Sequence, residues 1–416
     1  MNGKAETLRE YSNYALLAAA FFIPIFIGAA EGFRYLAILL WGILLLWKKQ
    51  PLTIFKHPAT LFIFAFAGLA VASIWFGEDA ARSLKKSHRL LLLFAVFAVP
   101  GVLTSHHRDA RRLLFAFVCG ASVLAVYDIV RIPAHWLWDL NHIDQVELHG
   151  RTLEEYKWFL LYDKGNMRDP QFYMVTLLIL FSFYPVYQAA HKRPMLGLMA
   201  LNLAALLLHN KRGAWLAFLI ASILCLLLSR TGLGFLRNKK VWAIGLVGLV
   251  LVGAYSKNRL GDLIDEFDPN HGGRFELWSK VFIPFMEDHP IGVGYLAVKH
   301  EQLTAYTTDL SFTVKNHFHN NPLQVAAELG WAGLAIWLAW MIAHLAMFLI
   351  CRRIRHPEIS IHMRLAQAGM LAFVALLIDG MVEYNFGDTE PYMLFIMLMG
   401  LSVWLWQQRG RDAVAC

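Results

Sequence analysis

Charge is what this sequence is short of. Asp, Glu, Lys and Arg make up 16% of its 416 residues, while 58% are hydrophobic; a soluble domain carries about 25% charged residues. A chain of this size with so little polar surface cannot coat itself in water, which excludes a soluble globular enzyme. Cysteine is scarce too. Cys119, Cys225, Cys351 and Cys416 fall in apolar stretches or on the basic side of the chain, so no disulfide framework is expected. The sequence has no Walker-type phosphate loop, no dinucleotide glycine fingerprint, no cysteine pair at zinc-ligand spacing and no nucleophile elbow. Chemistry that depends on those motifs is excluded, and there is no internal repeat or low-complexity run.

What is abundant is apolar sequence in pieces of membrane-span length. The blocks are 14–30, 33–47, 59–76, 90–103, 113–130, 171–190, 195–208, 214–229, 241–255, 322–350, 365–385 and 391–407. They predict an all-α membrane protein, one integral membrane domain over 1–416 built as a polytopic bundle of about twelve transmembrane helices. Several blocks are nearer ~15 residues than the ~20 an isolated span needs; in a bundle, neighbours and snorkelling end residues make up the difference. Gly28, Ala29 and Ala30 loosely resemble a processing site, but Glu31 and the immediate second block favour a retained first span.

Orientation follows from the basic residues. With the amino terminus in the cytoplasm, the segments on that side are 1–13, 48–58, 104–112, 191–194, 230–240, 351–364 and 408–416. They hold 20 of the 38 Lys and Arg but only 5 of the 30 Asp and Glu. This bias places both termini in the cytoplasm. Positive charge scattered over small loops is a topology signal and gives no nucleic-acid footprint. Two long segments then face outward, 131–169 and 256–321. The first is dense in aromatics (His135, Trp136, Trp138, Tyr156, Trp158, Tyr162). It reads as an interfacial segment at headgroup depth or as a floor for stacking sugar rings, and the two are compatible.

Four constellations carry chemistry. Lys211 and Arg212 lie in a short outer hairpin, against the positive-inside bias. They either anchor the hairpin at lipid phosphates or turn Arg212 inward to grip an anion, for which the guanidinium fork suits phosphate. Arg274 follows Gly272 and Gly273 and opens a helical stretch, and Pro290, Gly292 and Gly294 make a turn of fixed shape. His317 and His319 precede a helix starting near Pro322, with Asn320 or Asn321 as its cap. A helix-start histidine is a structural group, a metal ligand or a proton acceptor near neutral pH; no third residue has convincing spacing for a metal. Finally, Arg82, Lys85, Lys86 and Arg89 fall at i, i+3, i+4 and i+7, four cations on one helical face. That face meets lipid phosphates or a multiply phosphorylated glycolipid.

In chain order these elements are Arg212, then Gly273-Arg274-x-x-x-Trp278, then Pro290-x-Gly292-x-Gly294, and last His319-Asn320-x-x-Leu323-x-x-x-x-Glu328-Leu329-Gly330. The series, in a twelve-span context, resembles the O-antigen ligase and polymerase superfamily over residues 205–335. The resemblance implies a GT-C-like helical fold and a glycosyltransferase acting on the periplasmic side of a Gram-negative inner membrane. It implies an undecaprenyl-diphosphate-linked glycan as donor and no metal, nucleotide sugar or other cofactor. Carried over residue by residue, Arg212 and Arg274, with Lys211 beside them, bind the donor diphosphate, and His319 activates the acceptor hydroxyl. His317 lies outside the pattern; it and Asn320 are secondary candidates.

The expected function is an O-antigen ligase, joining the lipid-linked polymer to lipid A–core. Arg82, Lys85, Lys86 and Arg89 are the expected acceptor-phosphate group and favour this over the polymerase, whose acceptor is also lipid-linked. A flippase or transporter without chemistry would show inverted repeats and broken midplane helices, and the sequence has neither.

Overall fold

The computed structural model describes residues 2–48, 55–103, 107–141, 170–209, 211–228, 273–307, 317–353 and 359–412. The apolar block 241–255, the long segment 131–169 beyond Asn141 and the first part of 256–321 fall outside them. The described residues are helical and contain no strand.

The chain opens with α1 (Asn2–Phe22), α2 (Ile27–Lys48) and α3 (Thr60–Phe76). A short polar helix, α4 (Ala80–Lys86), leads through a 3-10 turn (Ser87–Leu93) into α5 (Phe94–Val102), and α6 (His107–Asn141) follows. Then come α7 (Gln171–Phe183), α8 (Ala189–Leu208) and α9 (Arg212–Leu228). The next described segment is a helical stretch: α10 (Arg274–Glu276), a π-helix (Leu277–Phe282) and α11 (Ile283–Asp288), with α12 (His300–Thr304) after a loop. Three long helices close the chain: α13 (Asn321–Arg353), α14 (Ile359–Asp379) and α15 (Thr389–Asp412).

Five described helices are long and apolar enough to cross a membrane: Ile27–Trp47, His107–Trp138, Asn321–Arg353, Ile361–Asp379 and Thr389–Arg409. Shorter apolar helices, Thr60–Phe76, Gln171–Val186 and Arg212–Leu227, are of the length that a bundle accommodates. The chain is a helical membrane protein; the count of twelve spans rests on the hydropathy blocks.

Several boundaries differ from the sequence expectation: α6 runs on to Asn141 and α8 takes in the expected loop 191–194, and two further differences are informative. The first two helices break at 23–26, around Pro24, and not at Glu31-Gly32. Proline removes a backbone donor and disfavours helix in the residue before it, so it outweighs the polar pair, and Glu31 lies inside α2. The block 365–385 is helical only to Asp379; its last residues leave the helix and form a turn, 380–388, that proves central to the site.

α14 is the middle of the bundle, packed by α6, α7, α9, α13 and α15. The turn that follows it is pinned into the core by Phe386, which is buried against several aromatic rings. Its ring lies 6.0 Å from Trp340, 5.8 Å from Trp337 and 6.2 Å from Phe66, edge-on spacings that suit aromatic pairs. The turn is thus a rigid platform.

Candidate active site

The start of α13 builds the first wall of the site. Asn320 is the N-cap: its Oδ1 accepts the Leu323 N–H at 3.0 Å, while its Nδ2 donates to the Met381 carbonyl at 2.8 Å. Asn321 donates its backbone N–H to the Gly380 carbonyl at 2.7 Å. Its side chain accepts the Phe386 N–H at 3.0 Å and donates to Asn385 at 2.5 Å. The two asparagines therefore clamp the 380–388 turn to the helix, and Asn320 is a brace. His319, one residue earlier, has φ +49°. A non-glycine residue there carries strain of about 1–2 kcal/mol, held by the clamp beside it.

The turn presents Glu383 to two of the expected site residues. Arg274 Nη2 donates to Glu383 Oε1 at 2.8 Å, and His319 Nδ1 lies 3.4 Å from Oε2. All three side chains are about three-quarters buried, at 28%, 25% and 26% exposed. Burial pushes the Glu383 carboxyl up, but the His319 hydrogen bond and the charges of Arg274 and Lys211 outweigh it and bring it down to about 2. An ionised carboxylate can only accept, so this contact puts the His319 proton on Nδ1 and leaves Nε2 as the basic nitrogen. The His317 ring meets the His319 ring edge-on at 4.1 Å.

Arg274 enters from α10. Four residues on, Trp278 Nε1–H donates to the Phe318 carbonyl at 2.8 Å, fixing the π-helix to the residue before His319. π-turns inside helices recur at functional sites, and this one spans the stretch between Arg274 and the apolar seat of α11.

The hairpin between α8 and α9 supplies the other cations. A Cβ added to Gly213 would sit 2.7 Å from Val382 Cγ2 and 3.2 Å from Asp379 Oδ1, so the start of α9 lies directly against the same turn. Lys211 acts electrostatically on Asp379, Glu383 and Asp388. Trp215 Nε1–H donates to the Leu206 carbonyl at 2.9 Å and closes the hairpin. Arg212, Lys211, Arg274 and His319, far apart in sequence, are thus gathered around residues 379–388.

The two glycine motifs form a seam beneath them. Val293 and Gly294 donate their N–H groups to the carbonyls of Ala327 and Glu328, at 3.0 and 2.8 Å. Gly330, at φ +70°, interrupts α13 where Ile291 crosses it; a Cβ there would be 2.6 Å from Ile291 backbone. The buried Glu328 accepts the Leu296 N–H at 3.0 Å and the Tyr384 hydroxyl at 2.9 Å. It ties the outer loop to the turn and is a structural link.

The expected basic face is divided. α4 ends at Lys86 and the backbone tightens to a 3-10 helix, so Arg89 leaves the α-helical register. Arg82 Nε donates to the Leu296 carbonyl at 3.1 Å and lines an open cleft with Glu78, Lys299, Glu301 and Gln302. Arg89 Nη1 donates to the Gly387 carbonyl, on the turn that carries Glu383. Lys85 is exposed and Lys86 is half-buried. Burial, then the charges of Arg89, Arg82 and Lys85, lower the Lys86 ammonium from its ordinary range.

Glu383 escaped the sequence reading. Its signal was an acidic residue inside an apolar block, Asp379-Gly-Met-Val-Glu383, and an ionisable residue at membrane depth is a functional candidate by default.

Fold and site together define a helical membrane protein with a largely buried cluster of cations around one carboxylate–histidine pair. A family model described as O-antigen ligase matches residues 197–338, the stretch that carries Lys211, Arg212, Arg274 and His319. Over that stretch, about a third of its length, the chain is similar to the O-antigen ligase family. A search of curated proteins finds no match.

Proposed function

We propose that this protein is an O-antigen ligase, a glycosyltransferase that moves a glycan from undecaprenyl diphosphate to lipid A–core at the periplasmic face of the inner membrane. Both termini lie in the cytoplasm in this reading. The observation that carries it is Glu383 holding His319 and Arg274 on one rigid turn, with the Lys211–Arg212 hairpin packed against that turn. His319 Nε2 takes the proton from the attacking core hydroxyl as that oxygen bonds to the anomeric carbon. The bond from that carbon to the diphosphate oxygen breaks, and Arg212, Arg274 and Lys211 receive the charge that develops on the leaving group. Glu383 orients the imidazole and stabilises its protonated form, as the carboxylate of a catalytic triad does. The residues themselves supply the positive charge, so the reading is metal-independent. In this reading Lys85 and Lys86 meet phosphates of the acceptor.

The test is to incubate purified protein with undecaprenyl-diphosphate-linked glycan and lipid A–core. Formation of the joined product establishes the ligase. Elongation of the lipid-linked glycan without transfer to lipid A–core would establish the polymerase instead.

A further inference from the structure

The bundle holds a second built polar arrangement, away from Glu383. Asp128 lies in α6 within an apolar run and is fully buried. Its Oδ2 accepts the Tyr173 hydroxyl of α7 at 2.6 Å and meets His209 Nε2 at 2.9 Å. Its Oδ1 accepts Arg131 Nε at 3.1 Å. His209, also fully buried, caps α8 and stands two residues before Lys211. A carboxylate at this depth persists only when paired, and here one of its partners is the end of the hairpin.

The same turn of α7 also bonds a residue packed against that hairpin. Gln171 Nε2–H donates to Asp379 Oδ2 at 2.7 Å, and Asp379 is the residue that Gly213 abuts. The hairpin is therefore tied at His209 to the buried Asp128 and packed at Gly213 against the buried Asp379. Both are bonded to α7, through Tyr173 and Gln171.

We propose that Asp128 and His209 are a positioning pair: their bond sets the Lys211–Arg212 hairpin against the 379–388 turn, so that the grip on the donor diphosphate depends on a carboxylate in a different helix. Asp128 lies outside residues 197–338 and touches none of the proposed reacting groups. The proposal rests on the reading that Lys211 and Arg212 hold the diphosphate, and its test separates the two.

Hairpin position is read without any substrate. Residue 213 would place its Cβ 4.0 Å from Val382 Cβ, a separation that suits a disulfide. Gly213→Cys with Val382→Cys should cross-link rapidly on mild oxidation of the full-length protein, followed by peptide mass spectrometry. Asp128→Asn and His209→Ala should slow that cross-link several-fold. His209→Gln, which keeps a donor for Asp128, and Tyr173→Phe, which keeps His209, should leave it near the parental rate. In the proteins without added cysteines, Asp128→Asn and His209→Ala should weaken binding of undecaprenyl diphosphate roughly tenfold, with the KM for lipid A–core unchanged.

Unchanged cross-linking in both Asp128→Asn and His209→Ala refutes the positioning pair. Loss of folding in both refutes it too, since the network would then support the bundle at large. If Asp128→Asn alone misfolds, His209→Ala decides. Slower cross-linking with undiminished undecaprenyl diphosphate binding, in these variants and in Arg212→Lys, leaves the pair standing and overturns the diphosphate reading.

Discussion

Replacing Glu383 by glutamine tests the centre of the site, because it keeps the shape and removes the charge. The carboxyl is ionised well below its ordinary range, at about 2 against 4.5, and that difference corresponds to about 3 kcal/mol of favourable interaction. A carboxyl depressed on folding stabilises above its unfolded pKa and loses the contribution as pH falls through the folded one. The native protein should therefore lose stability between pH 4.5 and about 2, and Glu383→Gln should flatten that window while being less stable at pH 7. The catalytic effect is larger. Glutamine offers an N–H as readily as a carbonyl, so His319 is no longer held with its proton on Nδ1. Loss of the general base is expected to lower kcat roughly 10²–10⁴-fold. Glu383→Gln combined with His319→Ala should be little worse than His319→Ala alone, since the two act as a unit. The assay is turnover of purified variants with lipid-linked glycan and lipid A–core, beside acid unfolding followed by circular dichroism. Near-normal kcat in Glu383→Gln, or strict additivity in the double variant, would refute the orienting role.

Arg212→Lys and Arg274→Lys keep the charge but lose the fork, so each should insert normally and lose most transfer activity. Activity should persist in excess chelator, and loss restored by magnesium would overturn the metal-independent reading. Gly330→Ala places a Cβ 2.6 Å from Ile291 backbone at φ +70°, and should cost more than ~2 kcal/mol in the left-handed conformation and clash combined, read as faster thermal inactivation. Lys85→Glu with Lys86→Glu should raise the KM for lipid A–core more than that for the donor, whereas an equal rise in both would point to general membrane anchoring.

Hydropathy located the long apolar helices among the described residues because apolar length is what a bilayer demands, and the helix around 322–350 carried its own N-terminal signals in Asn320 and Pro322. The errors came where a local rule competed with the apolar pattern. Pro24 moved the first break, and the polar Asp379–Glu383 stretch ended α14 although the surrounding residues remain apolar. The face of Arg82, Lys85, Lys86 and Arg89 assumed an unbroken α-helix. Nothing in that spacing signals the tightening to three residues per turn at Ser87, after which Arg82 and Arg89 bond separate carbonyls.

The site divides along a similar line. Arg212, Arg274 and His319 were legible because each stands beside an element with a sequence signature: a short charged hairpin, a glycine pair, a helix cap. Their convergence was not legible, because the residue that joins them is an isolated glutamate in a span-like block, and only packing brings α9, α10 and the start of α13 onto its turn. The motif glycines and Glu328 show the reverse. They stand out in sequence, yet they fasten a loop to the kink in α13 and touch no proposed reacting group. What the structure adds is therefore a sorting of the motif into two jobs. Asn320 and Glu328 fix the turn and Gly292 and Gly330 fasten the loop to α13, and the rigidity they provide lets one carboxylate set both the tautomer of His319 and the position of Arg274. A substitution in the first set should damage stability before chemistry, and one in the second set chemistry before stability, so paired measurement of the two distinguishes them residue by residue.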